Sequence, residues 1–405
     1  MSGTNIYPLN IRSPRDLHAT LDRIGADPRA GAYFQPKRVM RHIFIEQADF
    51  RAAAYIKQEL LARGGDAVVA KHVIDAKVDR SDLLLVATDG ELNALLEKME
   101  AMNCWGLKEL REELRTVLDN AKVSEWVLPL SGGRSLRLDR RTKIMGILNF
   151  TEDSFHAASR VANLDDMLRR AGAMLEDGAD ILDIGVESTR PGSNPVSKED
   201  ELERLIPAVK AIRKSFPDVV ISADTYRGKA ALAAIEAGAD IINDVGSFTL
   251  DSEMLECAAR SRQPYVLTHI KGTPKNMQDS PTYENLLGEL NAYFQMKICE
   301  AEQAGLSRER IIIDPGFGFG KRTEDNLLIL KELETLSVFG LPVLLGYSRK
   351  KFTGTVTNAP NTDDRLAGTT AISALVEGRA QIIRVHDVME NKNALLMSRA
   401  IKEVF

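Results

Sequence analysis

Eight short apolar runs, each rich in branched residues and each leading to a polar one, limit what this chain can fold into. They are KIMGILN (143–149), ADILDIG (179–185), VVISADT (219–225), DIINDVG (240–246), PYVLTHI (264–270), RIIIDPG (310–316), PVLLGYS (342–348) and IIRVHDV (382–388). Three consecutive isoleucines, Ile311 to Ile313, cannot alternate between a wet and a dry face. They read as a strand buried on both sides, the habit of parallel sheets. Between the runs lie stretches such as LDDMLRRAGAMLEDGA, GKAALAAIEAGA and DNLLILKELETL, with apolar residues at helical spacing. Gly178, Gly238 and Gly340 follow such stretches, where a helix commonly ends in a left-handed residue. Eight strand–helix units predict a (β/α)8 TIM barrel, typically about 250 residues long. A doubly wound open sheet is the alternative, because strand order is not written in the sequence.

Residues 1–122 have another texture. RHIFIEQ and SDLLLVATDG read as strands, DFRAAAYIKQELLARGG and ELNALLEKMEAM as amphipathic helices, so a small α/β domain is expected ahead of the barrel. GLKELREELRTVLDN reads as a charged helix leading to the join. The barrel domain, 123–405, would begin with a hairpin, WVLPLSGGRSLRLDRR (126–141), set to plug the barrel floor. A composition of 27% charged and 44% hydrophobic residues is that of a soluble globular protein, and a net charge of −5 argues against a nucleic-acid partner. Cys104, Cys257 and Cys299 form no metal or disulfide pattern, which suits a reducing compartment. No apolar stretch approaches the roughly 18 residues of a membrane span, and the N-terminus lacks the apolar centre of a signal peptide. A cytoplasmic protein without membrane contact is therefore expected.

In barrels the active site forms at the carboxyl ends of the strands. Those ends carry Asn149, Asp183, Asp224, Asn243, His269, Asp314, Ser348 with Arg349 and Lys350, and Arg384 with His386. A carboxylate in a buried strand costs several kcal/mol (~2–7 for an unpaired polar group) unless it is bonded, so this many at one mouth mark a site. Asp224, Asn243, Asp314 and Lys350 mix acceptors with donors, which suits a flat heterocycle with an amidine-like edge. Arg384 and His386, two apart on one strand, suit an anion such as phosphate; without Arg384 beside it, His386 would read as a core histidine. Asn149, Thr151 and Asp153 supply hard oxygens of the kind Mg²⁺ takes. Thr189 and Arg190, in the polar loop ESTRPGSNP (187–195), fit either a second-substrate loop or a plain surface loop.

Taken in order, MGILNFTEDSF, DILDIGVESTRPGS, SADTYR, GADIINDV, HIKGTPKNMQ, IDPGFGFGK with GYSRKKFTG, and RVHDV resemble the dihydropteroate synthase family of pterin-binding barrels, in a long form with an N-terminal extension. The resemblance implies condensation of 6-hydroxymethyl-7,8-dihydropterin diphosphate with p-aminobenzoate, releasing pyrophosphate and 7,8-dihydropteroate for folate synthesis. It implies a homodimer and Mg²⁺. Carried over residue by residue, Asp224, Asn243, Asp314 and Lys350 would hold the pterin, and Asp183 would face the reacting methylene. Asn149, Arg384 and His386 would hold the diphosphate, with Asn149 on the metal. Thr189, Arg190, Pro191 and Ser348 would frame p-aminobenzoate. Asp183, Lys350, Arg384 and His386 are the expected catalytic set, and Arg349 would help place the seventh loop.

The chain departs from the family in its first loop, NFTEDSFHAASR, which lacks the usual proline and paired glycines, and at Gly185-Val186, where a Gly-Gly pair is common. Two alternatives follow: a pterin-dependent methyltransferase of the same fold, against which GYSRKKFTG and ESTRPG argue, and a catalytically quiet pterin-binding protein.

Overall fold

The computed structural model describes residues 6–11, 13–149, 160–186, 196–273 and 276–404. The chain divides into two compact units, Met1–Ala121 and Lys122–Val404. The first begins with helices α1 (Pro14–Ile24) and α2 (Ala30–Phe34). Strand β1 (Met40–Asp49), helix α3 (Phe50–Leu61), strands β2 (Asp66–Val69) and β3 (Arg80–Thr88), and helices α4 (Asp89–Met99) and α5 (Leu107–Asn120) follow. The strands pair antiparallel in the order β1-β3-β2. Ile56 and Leu60 of α3, Leu83 and Leu85 of β3, Leu95 and Leu96 of α4, and Leu114 of α5 close one core. The sequence expectation omitted α1, α2 and β2. Asp66-Ala67-Val68-Val69 is too short a run to announce a strand, and it exists because the long β3 offers it an edge.

The second unit opens with strands β4 (Trp126–Pro129) and β5 (Ser135–Leu138), an antiparallel hairpin. Eight parallel strands follow, each with at least one helix. They are β6 (Lys143–Asn149) with α6 (Arg160–Asp177), β7 (Ile181–Gly185) with α7 (Lys198–Ser215), and β8 (Val220–Asp224) with α8 (Gly228–Ala237). Next come β9 (Ile241–Asp244) with α9 (Met254–Ser261), β10 (Tyr265–Thr268) with α10 (Leu286–Gln303), and β11 (Ile311–Asp314) with α11 (Thr323–Lys331). Strand β12 (Leu344–Leu345) carries two helices, α12 (Lys351–Thr357) and α13 (Leu366–Val376); β13 (Ile382–Val385) carries α14 (Val388–Glu403). The sheet order is β11-β10-β9-β8-β7-β6-β13-β12, and a parallel bridge between Ile313 and Val343 joins its two ends. Consecutive strands are neighbours all the way round, with no reversal of order, so the fold is a barrel and not a doubly wound sheet.

The hairpin seals the amino-terminal end of this barrel. Leu128, Leu130, Leu136 and Leu138 pack in one cluster with Met145, Ile181, Ile241, Val266, Ile312, Leu344 and Ile382, and Val220 lies against it. Each of the eight strands thus contributes one apolar residue to the floor. Removing each large side chain from water stabilises the fold by roughly 1.5–3 kcal/mol. Polar anchors fix the hairpin's position: Trp126 Nε1 donates to Gly340 O at 2.8 Å and Arg310 Nη1 to Pro129 O at 3.1 Å. Arg134 pairs with the buried Asp240, which also accepts from Arg213 Nη2 at 2.6 Å.

Candidate functional site

Side chains on a strand alternate between faces, so the residue two beyond each floor residue points into the same interior. Those residues are Ile147, Asp183, Ser222, Asn243, Thr268, Asp314, Gly346 and Arg384. A barrel interior is ordinarily filled by branched apolar layers. Here the layer above the floor is polar on six strands of eight.

Arg384 ties much of this ring together. Its Nε donates to Asp183 Oδ2 and its Nη2 to Asp224 Oδ2, both at 2.5 Å. Asn243 Nδ2 lies 3.2 and 3.3 Å from the two oxygens of Asp183, which is wholly buried. Gly185 keeps the mouth open on this side. A Cβ there would stand 3.2 Å from Asn149 Oδ1 and 3.3 Å from Asp224 Oδ2, so a larger residue would crowd both oxygens. Burial pushes the Asp224 carboxyl up to about 7 against the pull of Arg384, with Asp183, Glu201 and Asp244 adding to the rise. Burial also works against the charge on Arg384, but Asp183 and Asp224 outweigh it and hold the guanidinium protonated. The charge count points the same way as burial. Asp183, Asp224 and Asp314 face two cations, Arg384 and Lys350, and the cluster is neutral when Asp224 keeps its proton.

Asp314 and Lys350 form the other half of the site. Gly316 N donates to Asp314 Oδ1 at 2.8 Å, turning the carboxylate at the start of its loop. Gly346 lies alongside, where a Cβ would be 3.6 Å from Asp314 Oδ2. Lys350 Nζ donates to Phe317 O and stands 4.2 Å from the centre of the Phe319 ring. Burial raises the Asp314 pKa against Lys350, and burial lowers Lys350 to about 8, with Asp314 opposing.

The glycine loop carrying these contacts is held from outside the barrel. Lys321 is buried; its Nζ donates to the carbonyls of Gly316 and Phe319 at 3.1 and 3.2 Å and lies 2.7 Å from His269 Nδ1. Gly316 has φ +67°, and a Cβ there would strike His269 O. Only glycine allows that approach. His269 is therefore a correction to the strand-end reading. It follows the inward Thr268 by one residue, so it faces outward, 4.7 Å from the Tyr293 ring of α10. Burial and the neighbouring Lys321 push its pKa down to about 2 and keep the imidazole neutral.

Ser348 and His386 meet at the ends of β12 and β13, with Ser348 Oγ 2.9 Å from His386 Nδ1 and accepting from His386 N at 3.2 Å. Arg384 and His386 therefore have different partners: the arginine reaches the carboxylates, the histidine the serine. Arg349 grips Asp387 through Nε at 2.9 Å and Asp363 through Nη1 at 2.6 Å, which fixes the loop after β12. Thr189, Arg190 and Pro191, with Thr151 and Asp153, lie outside the described residues. For a metal, the amide oxygen of Asn149 is a hard donor at the mouth. Mg²⁺ usually takes one or two protein oxygens and completes its shell with water and substrate phosphate, and Asn149 fits that pattern. Sequence reasoning by strand ends missed Ser222, Thr268 and Lys321. Counting every second residue from the floor finds the first two.

Residues 145–386 match the model of the pterin-binding enzyme family. A dihydropteroate synthase of Synechocystis sp. is 42% identical over 262 residues, covering 64% of this chain and 90% of that protein. A probable bifunctional folylpolyglutamate synthase/dihydropteroate synthase of Halobacterium salinarum is 36% identical over 97% of this chain, N-terminal unit included, and the chain spans 47% of that protein. Among solved structures, the Yersinia pestis dihydropteroate synthase crystallised with a sulfonamide drug is 41% identical and superposes with a TM-score of 0.63, covering 69% of this chain and 100% of that one. On fold, site and sequence together, the chain belongs to the pterin-binding enzyme family, among its dihydropteroate synthases.

Proposed function

We propose that this chain joins 6-hydroxymethyl-7,8-dihydropterin diphosphate to p-aminobenzoate, giving 7,8-dihydropteroate and pyrophosphate. One observation carries the reading: one layer above its apolar floor the barrel holds the carboxylates of Asp183 and Asp314, the amide of Asn243 and the guanidinium of Arg384, with Asp224 and Lys350 joining them from nearer the mouth. Asp224, Asn243, Asp314 and Lys350 bind the pterin. The carboxylates accept from its amino-pyrimidine N–H groups; the amide and the ammonium meet its carbonyl and ring nitrogens. Asn149, Arg384 and His386 bind the diphosphate, and Arg384 exchanges one of its carboxylate partners for phosphate oxygens as substrate enters. Thr189, Arg190 and Pro191, with Ser348, frame p-aminobenzoate.

Departure of pyrophosphate leaves positive charge on the methylene, conjugated with the pterin. The fixed carboxylate of Asp183 stabilises that charge as it develops. The aniline nitrogen of p-aminobenzoate is already nucleophilic and attacks the methylene without a strong base; the anilinium that forms is acidic and passes its proton to water. Asn149 would hold Mg²⁺, which would supply positive charge against the pyrophosphate leaving group. The functional form is a homodimer in the cytoplasm. In support, Leu375 of α13 and Met389, Leu396, Met397 and Ile401 of α14 are exposed apolar residues on adjoining helices. All three cysteines are free, and among the described residues no helix is long and apolar enough to cross a membrane.

Pyrophosphate release measured with and without p-aminobenzoate tests the reaction. Release that depends on p-aminobenzoate and yields dihydropteroate is expected. Pterin binding without turnover would favour the quiet binding protein. Excess EDTA should abolish turnover, and full activity in its presence would remove the metal.

A further inference from the structure

Thr268 is the one inward residue of β10 in the polar ring. Val266, two residues earlier, packs against the hairpin plug, so alternation aims Thr268 into the same interior. It is 1% exposed, and among the described residues its Oγ1 has no hydrogen-bond partner. The rest of the residue is well used. Its carbonyl accepts from Ser247 Oγ at 2.6 Å and Tyr293 OH at 3.2 Å. Its methyl lies toward Gly316, where a Cβ would come within 3.2 Å of Thr268 Cγ2. The hydroxyl alone is unspent. Valine would fill the same space without leaving a buried polar group unpaired, so packing gives no reason for a hydroxyl here.

Register shows what the hydroxyl stands beside. Thr268 pairs with Asp314 on one side, and on the other Val266 pairs with Asn243, which puts Thr268 one inward step above Asn243. The ring's other orphan hydroxyl, Ser222, pairs with Asp183 on one side and with the floor residue Ile241 on the other, away from Asp314.

We propose that the Thr268 hydroxyl is a further reading group for the pterin ring, bonding the heterocycle between the groups met by Asp314 and Asn243. The proposal rests on the pterin-site reading above and adds a residue to it. A hydroxyl both donates and accepts, so it meets a ring N–H or a ring nitrogen without a change of charge. An isostere lacking it leaves that ring atom buried and unpaired.

The test is calorimetric binding of 6-hydroxymethylpterin to Thr268→Val, Thr268→Ser and Asp314→Asn, with melting curves of the unliganded proteins. Thr268→Val should bind about tenfold more weakly, the loss expected of one buried hydrogen bond. Its melting temperature should be equal or higher, because an unpaired hydroxyl has gone. Thr268→Ser should keep the affinity. In turnover the loss should appear in KM for the pterin substrate and not in KM for p-aminobenzoate. Wild-type affinity in Thr268→Val, beside weakened Asp314→Asn, overturns this proposal alone. Wild-type affinity in both overturns the site reading with it. Equal losses in the valine and serine variants with lowered melting would assign Thr268 to packing and also overturn the proposal.

Discussion

Ile312 and Asp314 stand two residues apart on one strand and face the same interior, yet they serve opposite ends. Ile312 meets the leucines of the hairpin and stabilises the barrel; Asp314 is a buried carboxylate whose charge burial disfavours. The same step separates Ile181 from Asp183, Ile241 from Asn243 and Ile382 from Arg384. The floor gives the barrel its stability, and the ring above spends part of it on preorganised charge. Floor and ring can therefore be broken separately. A floor substitution should cost stability and leave ring chemistry intact in whatever remains folded. A ring substitution should cost binding and leave the fold intact.

The largest effect is expected at the floor. Leu128→Ala should lose about 2–5 kcal/mol of unfolding free energy, the usual range for truncating a fully buried leucine. Affinity for pterin per folded molecule should be unchanged. Urea unfolding followed by calorimetry on the folded fraction decides it, and a loss of stability under about 1 kcal/mol would deny the hairpin its structural role.

In the ring, Asp314→Asn reverses that pattern. An amide cannot accept from two ligand N–H groups, so pterin affinity should fall by roughly 1.5–3 kcal/mol. Unliganded stability at neutral pH should hold, because the Asp224 carboxyl, at about 7 in the wild type, can ionise and replace the charge lost opposite Lys350. A variant that unfolds more easily but binds normally would place Asp314 with the floor.

Lys350 supplies a smaller, pH-dependent contrast. Its folded pKa lies at about 8, below the ordinary lysine value, so the ammonium faces the ligand only below that pH. The advantage of wild type over Lys350→Met in binding hydroxymethylpterin should be full below pH 8 and shrink as pH rises through it. The same depressed pKa gives stability the opposite slope. Between about 8 and the ordinary value near 10.4, the unfolded chain binds more protons than the folded one, so lysine's cost to folding declines as pH rises. A binding ratio flat from pH 7 to 10 would take the charge out of the contact.

How much of this could be read from sequence differs from region to region for physical reasons. A parallel strand buried on both faces writes itself as an apolar run, so Ile311-Ile312-Ile313 announced β11 and its Asp314. What such a run hides is the inward parity. His269 looked like a site residue because it is polar and ends a strand, while Thr268, the residue that does face inward, read as one more strand former. Lys321 was invisible for another reason. Its partners are backbone carbonyls of a loop whose shape depends on the close approach of Gly316 to His269. Strand β12 shrinks to Leu344–Leu345 because Gly346 and the turn into Arg349, which has φ +54°, take the chain out of the sheet early.

The smallest effect concerns the first unit. Its core is self-contained, closed by Ile56, Leu60, Leu85 and Leu95 among others, and every residue assigned to binding or chemistry lies after Lys143. The barrel meets its own needs at the floor. The hairpin that seals it, with Trp126 on Gly340 and Arg134 on Asp240, belongs wholly to the second unit. A chain starting at Val123 should therefore fold cooperatively and keep measurable synthase activity, leaving the first unit to assembly, stability or partner contact. The rival idea is that the first unit compensates for the unusual loop NFTEDSFHAASR by covering the mouth. The two ideas part in one measurement. A shortened protein that is soluble and melts cooperatively, yet shows no p-aminobenzoate-dependent pyrophosphate release, would make the first unit part of the active site. Retained turnover with an unchanged KM for both substrates would confine the chemistry to the barrel.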